Sequence, residues 1–130
     1  MHAAEQVKRE LRDGLTVAMK DRRLDAVTVL RSALAAIENA EASSMDSLGE
    51  PEKGRNPLGE SFGATEFPRR TLDAAELAEI LRSELDSRLR AAEHYDIHGR
   101  GAEAERMKRE AAALAGYVEI AAARAQQADA

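Results

Sequence analysis

The chain has 130 residues, no cysteine, no tryptophan, two tyrosines and two phenylalanines, and a formal net charge of −5. This length supports one domain with one aliphatic core, and the composition suits packed helices better than strands. The lack of cysteine excludes disulfides and thiolate chemistry. Because the N-terminus is charged throughout and no apolar run approaches the ~20 residues of a membrane span, we expect a cytoplasmic protein with no membrane partner.

Two N-terminal segments, residues 4–20 and 24–42, carry apolar residues at every third or fourth position. The apolar positions are Val7, Leu11, Leu15, Leu24, Val27, Leu30, Leu34 and Ile37. This period predicts two amphipathic helices, and the short polar link between them predicts an antiparallel hairpin. Gly14 weakens the first helix by roughly 1 kcal/mol relative to alanine.

The segment 43–72 has no such period and holds all three prolines and four of the eight glycines. Loops of this length are uncommon in compact domains and are usually functional or disordered. The sequence therefore predicts a mobile insertion, in which Leu58, Phe62 and Phe67 are the residues able to contact the helices.

The third helix, predicted over residues 74–98, has several start signals. Asp73 is placed as the N-cap with Glu76 three residues on, and Leu72 is placed to meet Leu77 as a hydrophobic staple. The predicted buried stripe consists of Leu77, Ile80, Leu81, Leu85, Leu89, Ala92 and Tyr95.

Gly99 supplies the stop signal of this helix, and Arg100 lies just past it, near carbonyls that have no helical partner. A fourth helix is predicted over residues 102–124, followed by a fraying alanine-rich end. The predicted fold is therefore all-α, with four helices in two antiparallel hairpins and a long Gly/Pro-rich loop between them, forming a single domain over residues 1–130.

Three patterns resemble catalytic or ligand motifs but lack the required context. Ser61 lies in a G-x-S-x-G pattern, yet no strand precedes it as a nucleophile elbow requires. The G-x-G-x-x-A pattern at residues 99–104 follows a helix, whereas dinucleotide binding needs a preceding strand. His94 and His98 share a helix face, with Glu93 or Asp96 nearby, but two histidines do not make a site and the glutamate of the H-E-x-x-H motif is missing. We therefore expect no catalytic residues, no metal and no cofactor.

The charged residues of the third and fourth helices are expected to form solvated faces. In particular, Glu105 with Arg109 and Arg106 with Glu110 are spaced as ordinary helical neighbours.

Only residues 1–31 are basic, with seven Lys/Arg against five Asp/Glu. The basic group consists of Lys8, Arg9, Arg12, Lys20, Arg22, Arg23 and Arg31. On a helical hairpin these side chains could line one edge and contact phosphates. Acidic residues are interleaved with them, so a solvated surface of mixed charge is the alternative that the residues leave open.

Residues in both halves of the chain resemble the YqeY-like (GatB/YqeY) family over about residues 7–42 and 72–118. In the first half these are Leu11, Asp13, Ala18, Met19, Lys20, Leu30, Arg31, Ile37, Asn39, Ala40 and Glu41. In the second half they are Glu84, Arg88, Ala92, Tyr95, Gly99, Arg100, Ala104, Glu105, Glu110, Leu114 and Tyr117.

The resemblance implies an all-helical module related to the tail domain of the B subunit of the tRNA-dependent amidotransferase, which grips tRNA without catalysing the transamidation. It implies structural roles for the signature residues: Tyr95 and Tyr117 in the hairpin core with their hydroxyls at its rim, and Arg100 in the turn after Gly99. The chain departs from the family pattern at Val118-Glu119, where relatives carry Leu-Pro, and we expect it to lack their smaller C-terminal domain.

The function expected from sequence is thus a non-catalytic module that binds tRNA or a tRNA-processing protein through the basic group. One alternative is a protein-interaction module without an RNA role, such as a homodimer through the alanine-rich fourth helix. A more remote alternative is a hydrolase that uses Ser61.

Overall fold

The computed structural model describes residues 3–48 and 70–129, and these form four α-helices. The helices are α1 (Ala3–Lys20), α2 (Leu24–Leu48), α3 (Ala74–Ile97) and α4 (Gly101–Asp129). The described residues contain no strand, so the predicted all-α class is confirmed. None of the helices described is long and apolar enough to cross a membrane.

Contacts between the helices show that neighbours run antiparallel. Lys8 contacts Glu41 at the open end of the α1–α2 hairpin, whereas Met19 contacts Arg31 nearer the turn. In the same way, Arg124 near the end of α4 reaches Glu10 in the first half of α1. The two hairpins therefore pack as a bundle in which α4 lies alongside α1 as well as α3.

Two short turns with the same hydrogen-bond pattern join the helices of each hairpin. After α1, the Arg22 N–H donates to the Met19 carbonyl at 3.2 Å and the Arg23 N–H to the Ala18 carbonyl at 2.9 Å. This paired arrangement is the Schellman motif, in which one residue takes the left-handed backbone conformation. That residue is Arg22, with φ of 57°.

The turn after α3 repeats the motif with glycine in the left-handed position. The Gly99 N–H donates to the Asp96 carbonyl at 3.1 Å, and the Arg100 N–H donates to the Tyr95 carbonyl at 2.8 Å. Gly99 has φ of 73°, which confirms it as the residue that ends α3.

The start of α3 follows the sequence signals. The Asp73 carboxylate accepts from the Glu76 N–H at 2.8 Å, and the Glu76 carboxylate accepts from the Asp73 N–H at 2.9 Å. The predicted capping box is therefore confirmed. Leu72 and Leu77 are both buried in one core cluster, as the predicted staple requires.

The core is aliphatic, as predicted. Its largest fully buried side chains are Leu11, Leu30, Ile37, Leu77, Leu81, Leu114, Val7 and Val29. Two predicted apolar positions were wrong. Leu24, at the start of α2, is 72% exposed. Leu89 is 48% exposed, and the neighbouring Arg88 turns inward instead. An arginine can take this place because it meets buried carboxylates there.

Helix ends also differ from the prediction. α2 continues to Leu48, so the first six residues of the predicted loop are helical. They contain neither glycine nor proline, and Gly49 is the first breaker after them. α4 reaches Asp129 instead of residue 124, because its alanine-rich end has high helix propensity. The predicted mobility of the remaining insertion, and the contacts of Leu58, Phe62 and Phe67, lie outside the described residues.

Candidate functional site

Six members of the predicted basic group are exposed on the α1–α2 hairpin. They are Arg9, Arg12 and Lys20 on α1, Arg22 and Arg23 in the turn, and Arg31 on α2. Within residues 3–48 and 70–129, none of the six forms a salt bridge with a carboxylate. Their charges are therefore available to a partner.

Lys8, the seventh member, is tied into the fold. Its ammonium lies 3.0 Å from a Glu41 oxygen and 3.8 Å from a Glu5 oxygen, and only 17% of its side chain is exposed. This pair connects α1 to α2 in a partly buried setting. We therefore assign Lys8 to the helix interface rather than to the exposed surface.

The exposed cations extend along the hairpin and converge toward its turn. Arg9 and Lys20 are eleven residues apart, which places them on the same face of α1 and about 16 Å apart along its axis. Arg31 is brought to the end of α1 by its contact with the Met19 sulfur at 4.0 Å. Together with Arg12, Arg22 and Arg23, these side chains form what we call the turn surface.

Acidic residues interleaved with these cations in sequence are largely turned away from them. Arg124 of α4 holds Glu10 through two hydrogen bonds, one of 3.1 Å from its Nε, and a third bond from Arg124 goes to Gln6 at 3.0 Å. Arg109 of α4 likewise holds Asp25 at 2.7 Å. Arg124 and Arg109 of α4 thus compensate Glu10 and Asp25, and Lys8 compensates Glu5. Among the acidic residues of 3–31, only Asp13 and Asp21 remain exposed without a salt bridge.

The bond to Arg124 also affects the ionisation of Glu10. Hydrogen bonds from the guanidinium lower the pKa of the Glu10 carboxyl from its ordinary value of 4.5, against a smaller opposing effect of burial. The same bond raises the pKa of Arg124. Glu10 is therefore ionised and paired at neutral pH.

A buried polar network connects α2, α3 and α4. The Arg88 guanidinium donates to Glu110 at 2.8 Å and to Glu84 at 3.3 Å, and the Ser32 hydroxyl donates to Glu84 at 2.8 Å. Glu110 is only 3% exposed. The expectation that the glutamates of α3 and α4 form solvated faces was therefore wrong for Glu110.

The predicted helical pairs on α4 are only partly formed. Arg106 lies 4.0 Å from Glu110, as its spacing suggested. Arg109 does not pair with Glu105: it reaches across to Asp25, and Glu105 instead contacts Lys108 at 3.4 Å. For Arg109, the contact with α2 thus replaces the pair that its spacing predicted.

The remaining signature residues have structural positions. Tyr117 packs against the core, and its hydroxyl occupies the space beside Gly14 of α1. Tyr95 is half-buried in the α3–α4 turn, where the Arg100 guanidinium lies 5.7 Å from the centre of its ring. Arg100 also pairs with Glu103 at 2.9 Å, which lowers the pKa of that carboxyl.

His94 and His98 lie on one face, with ring centres 4.3 Å apart. One ring nitrogen of His98 contacts the His94 carbonyl at 2.9 Å. Among the residues that the structure describes, no three His, Asp or Glu side chains gather into a metal site. Ser61 and its flanking glycines lie outside the described ranges.

The fold and the exposed cations define a small helical bundle with a basic turn surface. Comparison of the chain with protein-family models, with curated proteins and with solved structures finds no match.

Proposed function

We propose that this chain is a non-catalytic helical module that binds RNA through the turn surface, and that its RNA is a tRNA. The choice of tRNA rests on the family resemblance of residues 7–42 and 72–118. The choice of the surface rests on six exposed cations, and on the salt bridges that hold three of the five acidic residues interleaved with them. Phosphate contacts of this kind supply most of the affinity of sequence-independent nucleic-acid binding.

The conformation of Arg22 is the observation that carries the proposal. A left-handed backbone costs an ordinary residue roughly 1–2 kcal/mol, and glycine avoids this cost. The equivalent position of the second turn is indeed glycine, Gly99. An arginine at a strained, exposed position supports a role for its side chain outside the fold.

The proposal is tested by reversing charges at Arg12, Arg22 and Arg23 to glutamate and titrating fluorescent tRNA by anisotropy. The matched control reverses Arg82, Arg90 and Lys108, which are exposed on α3 and α4, so that both variants have the same net charge. We expect the hairpin variant to lose binding and the control to keep most of it. Equal losses would show that only total charge matters, and tRNA binding by the hairpin variant at wild-type strength would refute the proposed surface.

A further inference from the structure

The exposed face of α3 carries a row of four charged side chains whose signs alternate along the helix. The row consists of Arg82, Asp86, Arg90 and Glu93, and all four are exposed. Their spacings of three and four residues place them on one side of the helix. The last three also line a shallow cleft of about 400 Å³, together with Leu89. The row therefore belongs to one continuous surface.

Three members of this row have no ionic partner within the fold. Across residues 3–48 and 70–129, Asp86, Arg90 and Glu93 form no salt bridge. Arg90 is four residues from Asp86 and three from Glu93, so either carboxylate has the spacing of a helical ion pair. These charges are therefore available to a partner.

The acidic residues at the two ends of the row are already compensated. A Glu79 oxygen lies 3.3 Å from the guanidinium of Arg82. An Asp96 oxygen lies 3.4 Å from the ammonium of Lys108 on α4. The row thus presents the alternating signs of its four members without a further unpaired carboxylate at either end.

The alternation of signs makes the row complementary to a reversed copy of itself. Read along the chain, the signs are positive, negative, positive and negative, and read backwards they are all opposite. Two α3 helices that run antiparallel therefore bring unlike charges together at every position. A polyanion such as RNA would meet as many carboxylates as cations here. The order of the charges thus favours a second copy of this chain over a nucleic acid.

We propose that two copies of the chain associate through this face, with their α3 helices antiparallel around a two-fold axis at the level of residue 88. Asp86 then lies opposite the partner's Arg90, and Arg82 lies opposite the partner's Glu93. The two-fold axis repeats both contacts, so that four ion pairs form. Leu89, which is 48% exposed, lies one residue from the axis and meets the partner's Leu89 at the centre of the contact.

The contact is small because one face of one helix supplies it. Arg82 and Glu93 are eleven positions apart, which corresponds to about 16 Å of helix. Ion pairs between exposed side chains are individually weak and are screened by salt. Small interfaces of this kind belong to the weak, transient class. We therefore expect a dimer that forms between micromolar and millimolar concentration and dissociates as salt is added.

The test measures the average mass of the full chain by sedimentation equilibrium over this concentration range at low salt. The wild-type mass should rise with concentration from that of a monomer towards that of a dimer. Asp86→Arg and Arg90→Asp should each associate at least about tenfold more weakly, because each places like charges opposite one another at two symmetric contacts. Circular dichroism checks that both variants keep their helices.

An equimolar mixture of the two variants gives the sharpest result. In a dimer of one Asp86→Arg chain and one Arg90→Asp chain, every contact again joins unlike charges, so association should return to about the wild-type strength. Both variants remain net negative, since the chain starts from −5 and each substitution changes the charge by two. Attraction between net charges therefore cannot explain the rescue. The double variant with both substitutions in one chain should also dimerise like the wild type.

The matched control makes the same exchanges on α1, with Arg9→Asp and Asp13→Arg. These residues are also exposed, four positions apart and without a salt bridge among the described residues. Each control variant should associate as the wild type does.

Three outcomes would overturn the proposal. A wild type that stays monomeric at millimolar concentration and low salt would refute the dimer. Wild-type association of Asp86→Arg or Arg90→Asp alone would place the contact on another surface. Monomeric single variants whose mixture is also monomeric would refute the antiparallel arrangement. Each of these results would leave the proposed tRNA binding intact, because the turn surface lies on α1, α2 and the link between them.

Discussion

Arg22 and Gly99 occupy equivalent positions in the two turns of the bundle, and both have a left-handed backbone, with φ of 57° and 73°. Each is followed by an arginine whose N–H donates to a carbonyl five residues earlier. The two turns thus provide an internal comparison. The turn after α3 has glycine, which the left-handed conformation favours, and the turn after α1 has an arginine in the same position.

Replacing Arg22 by glycine should stabilise the protein while weakening RNA binding. We expect a gain of about 0.5–1 kcal/mol, because relief of the left-handed strain exceeds the extra entropy that glycine loses on folding. Chemical denaturation measures the gain, and the salt dependence of tRNA binding should fall by about one phosphate contact.

Gly99→Ala is the reciprocal variant. No atom lies within 4 Å of the added methyl group, so backbone strain alone should cost about 1 kcal/mol. The affinity for tRNA should not change.

If Arg22→Gly neither stabilised the fold nor reduced tRNA binding, the left-handed backbone at Arg22 would have no functional meaning.

The Glu10 and Arg124 pair should contribute stability at neutral pH that is lost in acid. Because the pKa of Glu10 is lowered in the folded state, its stabilisation is present above the ordinary value of 4.5 and disappears as the pH falls through the lower folded value. The difference in unfolding free energy between wild type and Glu10→Gln should shrink over this range. An NMR titration that finds the Glu10 pKa at or above 4.5 would contradict the pairing.

Gly14→Ala should fail to stabilise the protein although Gly14 lies inside a helix. A methyl group there would lie 2.0 Å from the hydroxyl oxygen of Tyr117, and such overpacking costs about 1–3 kcal/mol. This should offset the gain of about 1 kcal/mol in helix propensity that alanine brings. Urea unfolding of Gly14→Ala measures the balance.

Gly116 is the matched control, since it lies in α4 with nothing within 4 Å of an added methyl group. Gly116→Ala should stabilise the protein by about 1 kcal/mol, as propensity predicts. If Gly14→Ala stabilised the fold equally, Tyr117 would not pack as described.

The buried pair of Arg88 and Glu110 should be costly to break from one side. Arg88→Met leaves Glu110, which is 3% exposed, without its hydrogen-bond donor and with only the longer contact to Arg106, so we expect a cost at the lower end of the range of about 3–5 kcal/mol for breaking a buried pair. The double variant Arg88→Met with Glu110→Leu should recover most of the loss, because both charges are gone. Additive losses in this double-mutant cycle would mean that the two side chains do not interact.

The helices could be predicted from the sequence because the residues that face the core recur at every third or fourth position. The start of α3 was also predictable, since its cap residues lie within three positions of each other. The ends of the helices were harder to predict. The last six residues of α2, 43–48, have no strong apolar period, so they were assigned to the loop, yet they contain no residue that stops a helix.

Contacts between residues far apart in the sequence could not be predicted from sequence patterns. Arg124 and Glu10 are 114 positions apart, and nothing local shows that they meet. The burial of Glu110 was missed because glutamate is normally exposed, and its burial is tolerable because Arg88 lies opposite and Arg106 lies nearby on α4. The cations of the turn surface could be named from the sequence. That α4 would neutralise two of their acidic neighbours could not, because those contacts join residues far apart in the sequence.

The salt dependence of tRNA binding is the sharpest test of RNA binding through the turn surface. Six exposed cations that each contact a phosphate predict a slope of about −4 to −5 for the logarithm of the association constant against that of salt concentration. The Arg12/Arg22/Arg23 reversal should reduce this slope by at least about three contacts. A wild-type slope near zero, or the same slope in both proteins, would contradict RNA binding through this surface.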